Sequence, residues 1–124
     1  MEQLNCIRFF CLGERRIAEL NREFLERFGV TPEIKAGLHY GEILIAEIGS
    51  YGKDIAYYGD PINTAARISA TCNQVGARFL CSADLFILFS PHREEFRFTS
   101  MGMFNLKGKK NPVGLLSIEE RGRA

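Results

Sequence analysis

The change of apolar period at Gly29 is the strongest constraint on what this chain can fold into. Ile7, Phe10, Ile17, Leu20, Phe24 and Phe28 recur at intervals of three, four or seven, with Glu14, Arg15, Arg16, Glu19, Arg22, Glu23 and Glu26 between them. That is the pattern of an amphipathic helix. Gly29 suits a C-terminal cap, and Pro32 cannot continue a helix. From Glu33 the period falls to two: Ile34, Ala36, Leu38 and Tyr40 alternate with Lys35, Gly37 and His39, as on a half-buried strand. After Gly41 a nearly continuous apolar run, Ile43-Leu44-Ile45-Ala46 to Ile48, ends at Gly49-Ser50-Tyr51-Gly52. It predicts an antiparallel hairpin whose second strand is buried on both faces. Two strands in succession argue against a strictly alternating α/β fold.

A loop from Gly49 to Ala56 leads to Tyr57-Tyr58-Gly59, and Asp60-Pro61 opens a second helix that runs to about Asn73 and is closed by Gly76. Phe79 to Cys81 reads as a short strand, Ser82 as the cap of a helix through Phe89, and Ser90-Pro91 as its stop. Phe96 to Thr99, Met103 to Leu106 and Val113 to Ile118 read as terminal strands. This order predicts an α+β fold, with helices packed on a mainly antiparallel sheet. The 124 residues suffice for one domain. The first helix needs a sheet under its apolar face, so strands are expected upstream and the fold reads as N-terminally truncated, with Met1 marking a truncated piece of a longer parent.

Sixteen basic residues against fifteen acidic ones leave a formal charge of +1, which argues against nucleic acid and anionic membrane as partners. No run approaches the roughly 18 apolar residues of a membrane span, and no leader pattern opens the chain. A cytoplasmic segment without direct membrane contact is expected. Cys6, Cys11, Cys72 and Cys81 form no C-x-x-C pair, and on a helix Cys6 and Cys11 point about 140° apart. Buried reduced thiols are the expectation.

Asp60 can cap the second helix and Pro61 loses nothing at its first position. Asn63 then lies in the first turn and Arg67 one turn deeper on the same side. Two readings follow from the spacing: a capping Asn with a solvated Arg, or an anion site at the positive end of the helix, with Gly59 allowing a ligand close to the backbone. Gly49-Ser50-Tyr51-Gly52-Lys53 is too short between its glycines for a Walker loop and has no Ser or Thr after the lysine. His39 and His92 read as structural or solvated, and no nucleophile-base pair is evident.

Several blocks in register resemble class III adenylate and guanylate cyclase catalytic domains. They are Gly37-Leu38-His39-Tyr40-Gly41-Glu42, Glu47-Ile48-Gly49, Gly59-Asp60-Pro61-Ile62-Asn63-Thr64-Ala65-Ala66-Arg67-Ile68, and Leu106-Lys107-Gly108-Lys109 with Pro112-Val113. The family's helix start is G-D-T-V-N-x-A-x-R, from which Pro61 and Ile62 depart in ways that suit a first turn. The resemblance implies a ferredoxin-like cyclase fold, with residues 1–120 a partial class III domain and 121–124 a tail.

For function, the resemblance implies that the parent converts a nucleoside triphosphate, with ATP to cyclic AMP the leading assignment, to a 3′,5′-cyclic nucleotide and pyrophosphate in intracellular signalling. Asn63 matches the residue that orients the ribose, Arg67 the one that stabilises charge around the α-phosphate, and Lys107 one that contacts the outer phosphates. Lys109 and Lys110 read as surface charges. Ala56 occupies the base-facing position seven residues before Asn63, where the family carries a polar residue, so the choice of base departs from the pattern. Asp54, two residues away, shares a side with Ala56 only if the backbone there is a strand. Family members hold two magnesium or manganese ions on two aspartates that precede the blocks matched here; Asp54, Asp60 and Asp84 are not in those motifs. A homodimer or a cyclase-domain partner completes the site, the parent can be membrane-tethered, and this chain alone is expected to be inactive. The competing reading is a non-catalytic cyclase-like dimerisation or binding module.

Overall fold

The structure, a computed structural model, describes residues 4–49, 52, 54–89 and 94–121. In chain order the elements are α1 (Asn5–Phe28), β1 (Ala36–Leu38), β2 (Leu44–Ile48), β3 (Asp54–Tyr58), α2 (Asp60–Val75), β4 (Phe79–Ser82), α3 (Ala83–Phe89), β5 (Phe96–Phe104) and β6 (Val113–Glu120). One sheet has the order β1-β4-β6-β5; β1 and β4 run parallel and the other two pairs antiparallel. β2 and β3 form a separate antiparallel ribbon. The α+β class and mainly antiparallel sheet expected from the sequence are present.

The periodicity of the first segment gives α1, and Gly29 ends it with φ 73°, its N–H donating to the Leu25 carbonyl at 2.9 Å. Ile7, Phe10 and Cys11 bury its first half against β4, α3, β5 and β6 through Phe79, Cys81, Leu85, Phe89, Phe96 and Ile118. The Phe10 and Phe79 rings sit 4.2 Å apart. Ion pairs fasten the same helix to the sheet: Arg8 donates to both carboxylate oxygens of Glu95 at 3.0 and 2.7 Å, Arg15 pairs with Glu120, and Arg78 with Glu14. On the other side of the sheet, Ile68 and Cys72 of α2 pack on Leu80, Leu106 and Leu115.

The structure overturns several local expectations. Ile34 to Tyr40 and Ile43 to Ile48 do not form a hairpin. β1 instead pairs parallel with β4, Ala36 opposite Phe79 and Leu38 opposite Cys81. Both sides of β1 are covered: Ile34, Ala36 and Leu38 pack on the α1 side, while Gly37 meets α2 and Lys35 bonds to Asn73 of α2. The segment read as a loop contains β3, which pairs with β2. β2 is not buried on both faces: Leu44 is 65% exposed and Ile45 59%, and across the ribbon Ile55 is 59% and Tyr57 55% exposed. An apolar run reports only that something covers it, and among the described residues nothing covers these side chains. The two strands read at Phe96 to Thr99 and Met103 to Leu106 are one strand, β5, with a register shift between Ser100 and Gly102. Cys6 is exposed, whereas Cys11, Cys72 and Cys81 are buried reduced thiols as expected; burial pushes the Cys81 thiol up to about 12. Ser90-Pro91 and His92 lie outside the described residues.

α2 can lie on β1 only because residue 37 has no side chain. A Cβ there would stand 2.4 Å from the Ser69 nitrogen and 2.7 Å from the Ala65 carbonyl oxygen, and backbone cannot step aside as a side chain can. Gly37→Ala should therefore destabilise the fold by about 3 kcal/mol, the upper end for overpacking. Gly76→Ala, at φ 70° with open space around it, should cost about 1 to 2 kcal/mol from backbone strain alone. Urea midpoints of the two variants test the contrast, and equal losses would remove the packing argument.

Candidate active site

The site is built around the start of α2. The N-cap is Gly59 rather than Asp60, with φ 150° and ψ 158° and no side-chain cap, one residue earlier than the sequence suggests. Its carbonyl accepts from Ile62 and Asn63 N–H at 3.2 and 3.5 Å. The close approach that Gly59 admits is by the chain itself: a Cβ would lie 3.1 Å from the Glu42 carbonyl oxygen and 3.3 Å from the Ile43 Cα. Gly41 sits as tightly, with Pro61 Cγ 2.4 Å from where its Cβ would be.

With the start of α2 fixed, its two sides differ. Thr64, Ile68, Thr71 and Cys72 are buried, while Asp60, Asn63 and Arg67 are exposed and follow one another at intervals of three and four, so they form one stripe. Ala56 lies opposite Ala46 in the ribbon. Because this segment is a strand, Asp54 and Tyr58 share its face. Lys107 is exposed in the loop 105–112 between β5 and β6.

Two residues that sequence reasoning left on the surface or in structural roles converge on this start. Lys109 Nζ donates to Asp60 Oδ2 at 2.7 Å, and Thr64 Oγ1 approaches the same oxygen at 3.4 Å. The hydrogen bond from Lys109 holds the Asp60 carboxyl below the usual carboxylate range. His39 Nδ1 lies 2.7 Å from Ser82 Oγ, which also caps α3 by accepting from Leu85 N–H at 3.2 Å. Burial, then the nearby Lys109 cation, pushes the His39 pKa down, with Asp84 and Asp60 opposing. The pair between Lys109 and Asp60 spans 49 residues, and no local spacing signals it.

Among the described residues no three His, Cys, Asp or Glu side chains gather as a metal site. These residues do not fit a two-metal centre, so no chemical step is routed through one here. A cavity of about 680 Å³ lies elsewhere, between α1 and the sheet, where it is lined by Phe10, Glu14, Arg78, Met101 and Glu119 among others. It includes none of Ala56, Asn63, Arg67 or Lys107.

Comparison with known proteins agrees with this architecture. The family model described as Adenylate and Guanylate cyclase catalytic domain matches residues 16–117. Adenylate cyclase 2 of Rhizobium meliloti (strain 1021) is 34% identical over 114 residues, covering 91% of this chain and 31% of that protein. Photoactivated adenylate cyclase subunit beta of Euglena gracilis is 32% identical over 79 residues, 64% of this chain and 9% of that protein. The chain therefore spans about a third or less of these relatives. The crystal structure of the adenylyl cyclase CyaB from P. aeruginosa superposes with a TM-score of 0.71 at 18% identity, over 88% of this chain and 54% of that one. A bacterial light-regulated adenylyl cyclase does so with a TM-score of 0.58 at 18% identity, over 85% of this chain and 32% of that one.

The lowered His39 pKa has a pH consequence. The unfolded chain binds the proton more readily, so this contribution to stability is complete above the ordinary histidine pKa of about 6.5 and is lost as pH falls below it toward the folded-state value. The Asp60 carboxyl acts only below about pH 4, where its own contribution is lost. Urea midpoints between about pH 7.5 and 5.5 should fall for the native chain and fall less for His39→Gln. Parallel decline in both would detach the effect from His39.

Proposed function

The chain belongs to the adenylate and guanylate cyclase catalytic domain family, and on that premise we propose that the protein containing it is a nucleotide cyclase that converts ATP to cyclic AMP and pyrophosphate. The observation that carries this reading is the exposed stripe of α2, where Asn63 and Arg67 stand one turn apart beyond a helix start fixed by Gly59. In the reaction the ribose 3′-hydroxyl gives up its proton to water as its oxygen bonds to the α-phosphorus, the bond from that phosphorus to the bridging oxygen of the β-phosphate breaks, and pyrophosphate leaves. Asn63 orients the ribose and Arg67 offsets charge developing on the α-phosphoryl oxygens, the step at which a fixed cation contributes most. Lys107 meets the outer phosphates. Divalent ions, magnesium or manganese, would polarise phosphate oxygens in such chemistry, and the described residues offer no cluster of ligands to hold them.

Base choice rests on the face of β3. A methyl group at Ala56 makes no hydrogen bond, and the polar groups sharing its face are those of Asp54 and Tyr58. Residues 1–120 form the cyclase segment, consistent with β6 ending at Glu120, and 121–124 form a tail. No described helix is long and apolar enough to cross a membrane, and the segment acts in the cytoplasm.

The ribbon of β2 and β3 is the surface for a second cyclase domain, in a homodimer or a paired domain. Two strands alone are marginal in water, and Leu44, Ile45, Ile55, Tyr57 and Tyr58 are exposed together on it. A non-catalytic dimerisation module is the second reading, favoured by the same exposed apolar ribbon, which would serve association with or without chemistry.

Incubation of the whole protein with each of the four triphosphates and manganese, followed by identification of the cyclic product, separates these readings. Asn63→Ala and Arg67→Ala should each lower kcat by about a hundredfold with KM little changed, the pattern of groups acting in the transition state. Unchanged turnover would remove those roles. Ile55→Asp should leave stability within about 0.5 kcal/mol, as for an exposed position, yet shift the sedimenting species toward monomer. Unaltered association would move the interface off the ribbon.

A further inference from the structure

We infer that Lys109 is a positioning residue, which latches the β5–β6 loop to the first turn of α2 through Asp60 and so sets Lys107 in register with Asn63 and Arg67. The inference rests on the cyclase reading above for its kinetic consequence, and on geometry for the latch itself.

The loop 105–112 is held at two points. Leu106 is buried with Ile68, Cys72, Leu80 and Leu115 beneath α2, which fixes the loop's entry. Gly108, at φ 85°, turns the chain, and Lys109 N–H closes that turn on the Leu106 carbonyl at 3.0 Å. The Lys109 side chain then ends 2.7 Å from Asp60 Oδ2. Lys107 stands between the two anchors, one residue after Leu106 and two before Lys109, so it cannot shift without disturbing one of them.

The charges explain why the latch is specific. A lone cation beside the N-terminus of a helix is disfavoured by the helix dipole, whereas a carboxylate in the first turn is favoured. Asp60 supplies that carboxylate, and its presence makes the site acceptable to the Lys109 ammonium. The ammonium is the less exposed partner, 27% against 63% for the Asp60 side chain, so the loop reaches over the helix start and not the reverse. Asp60, Asn63 and Arg67 share one stripe of α2. A loop fastened to Asp60 is therefore fastened at the foot of the row that carries the proposed catalytic groups. With its ammonium committed to Asp60, Lys109 is not free to serve as a phosphate ligand, which leaves that role to Lys107 on the cyclase reading.

A positioning residue acts on binding more than on the chemical step. In the whole protein, Lys109→Ala should raise KM for the triphosphate by about fivefold, the scale of one exposed ion pair, with kcat changed by less than about twofold. Lys109→Arg should restore KM. Asp60→Ala should match Lys109→Ala, and the double variant should be no worse than either alone, because both remove one interaction. Additive losses, or a fall in kcat of about a hundredfold for Lys109→Ala of the kind expected for Arg67, would overturn the assignment. A readout independent of catalysis is amide hydrogen exchange in this chain: Asp60→Ala should lower protection at the Lys109 N–H, whose acceptor is Leu106, by about fivefold. If the whole protein makes no cyclic nucleotide, the cyclase reading fails and exchange alone decides the latch. Unchanged protection then overturns it as well.

Discussion

Backbone-to-backbone contact between β1 and α2 is the constraint on which the rest of the structure depends. Gly37 lets Ser69 and Ala65 of the helix come within 3 Å of where a Cβ would sit, a distance no other residue type permits. Two further glycines repeat the device along the helix. Gly41 admits Pro61 in the first turn, and Gly59 admits the Glu42 carbonyl just before it. The helix is thus set in depth at its middle by Gly37 and at its start by Gly41 and Gly59. Side-chain packing alone leaves a helix some freedom to slide or rotate, since cores tolerate volume-conserving rearrangement. Contact through glycine removes that freedom. The side chains that depend on the position of α2, Asn63 and Arg67, are exposed, so no packing of their own could fix them.

The helix ends were more legible in the sequence than the pairing of strands. Caps and breaks are local: Gly29 and Gly76 end their helices in the left-handed conformation, and Ser82 accepts from Leu85 at the start of α3. The stripe from Asp60 to Arg67 is local too. Pairing between strands is not. β1 joins β4, more than forty positions away by register, and the alternation of Lys35, Gly37 and His39 looked like a solvent-facing side because two of the three residues are polar and the third is absent as a side chain. α2 occupies that side, and it can do so because Gly37 leaves room and Lys35 finds Asn73.

The apolar run of β2 failed as a guide to burial for a different reason. Periodicity reports which residues avoid water in the working state of a protein, and a core and an interface leave the same mark. The pairing of Lys109 with Asp60 was invisible for yet another: each is an ordinary surface residue by type, and only the path of the β5–β6 loop brings them together. Long-range polar pairs of this kind carry no signature in a single sequence, whereas the register of motif blocks does.

The ribbon and the helix are one continuous piece of chain. β3 ends at Tyr58, Gly59 follows, and α2 begins at Asp60, so no flexible connection separates the exposed apolar strands from the exposed stripe of Asn63 and Arg67. Ile55 and Tyr57 lie on one face of β3 and Tyr58 on the other, next in the chain to Gly59 and the start of that stripe. On the proposed reading, a partner surface that reached from the ribbon to Arg67 would lower the local dielectric there, and a fixed cation interacts more strongly with phosphate charge where water is excluded. The apolar ribbon and the polar helix start are accordingly two sides of one requirement. The glycine at position 59 ties the helix start to the ribbon, because its neighbours, Glu42 and Ile43, belong to the approach to β2.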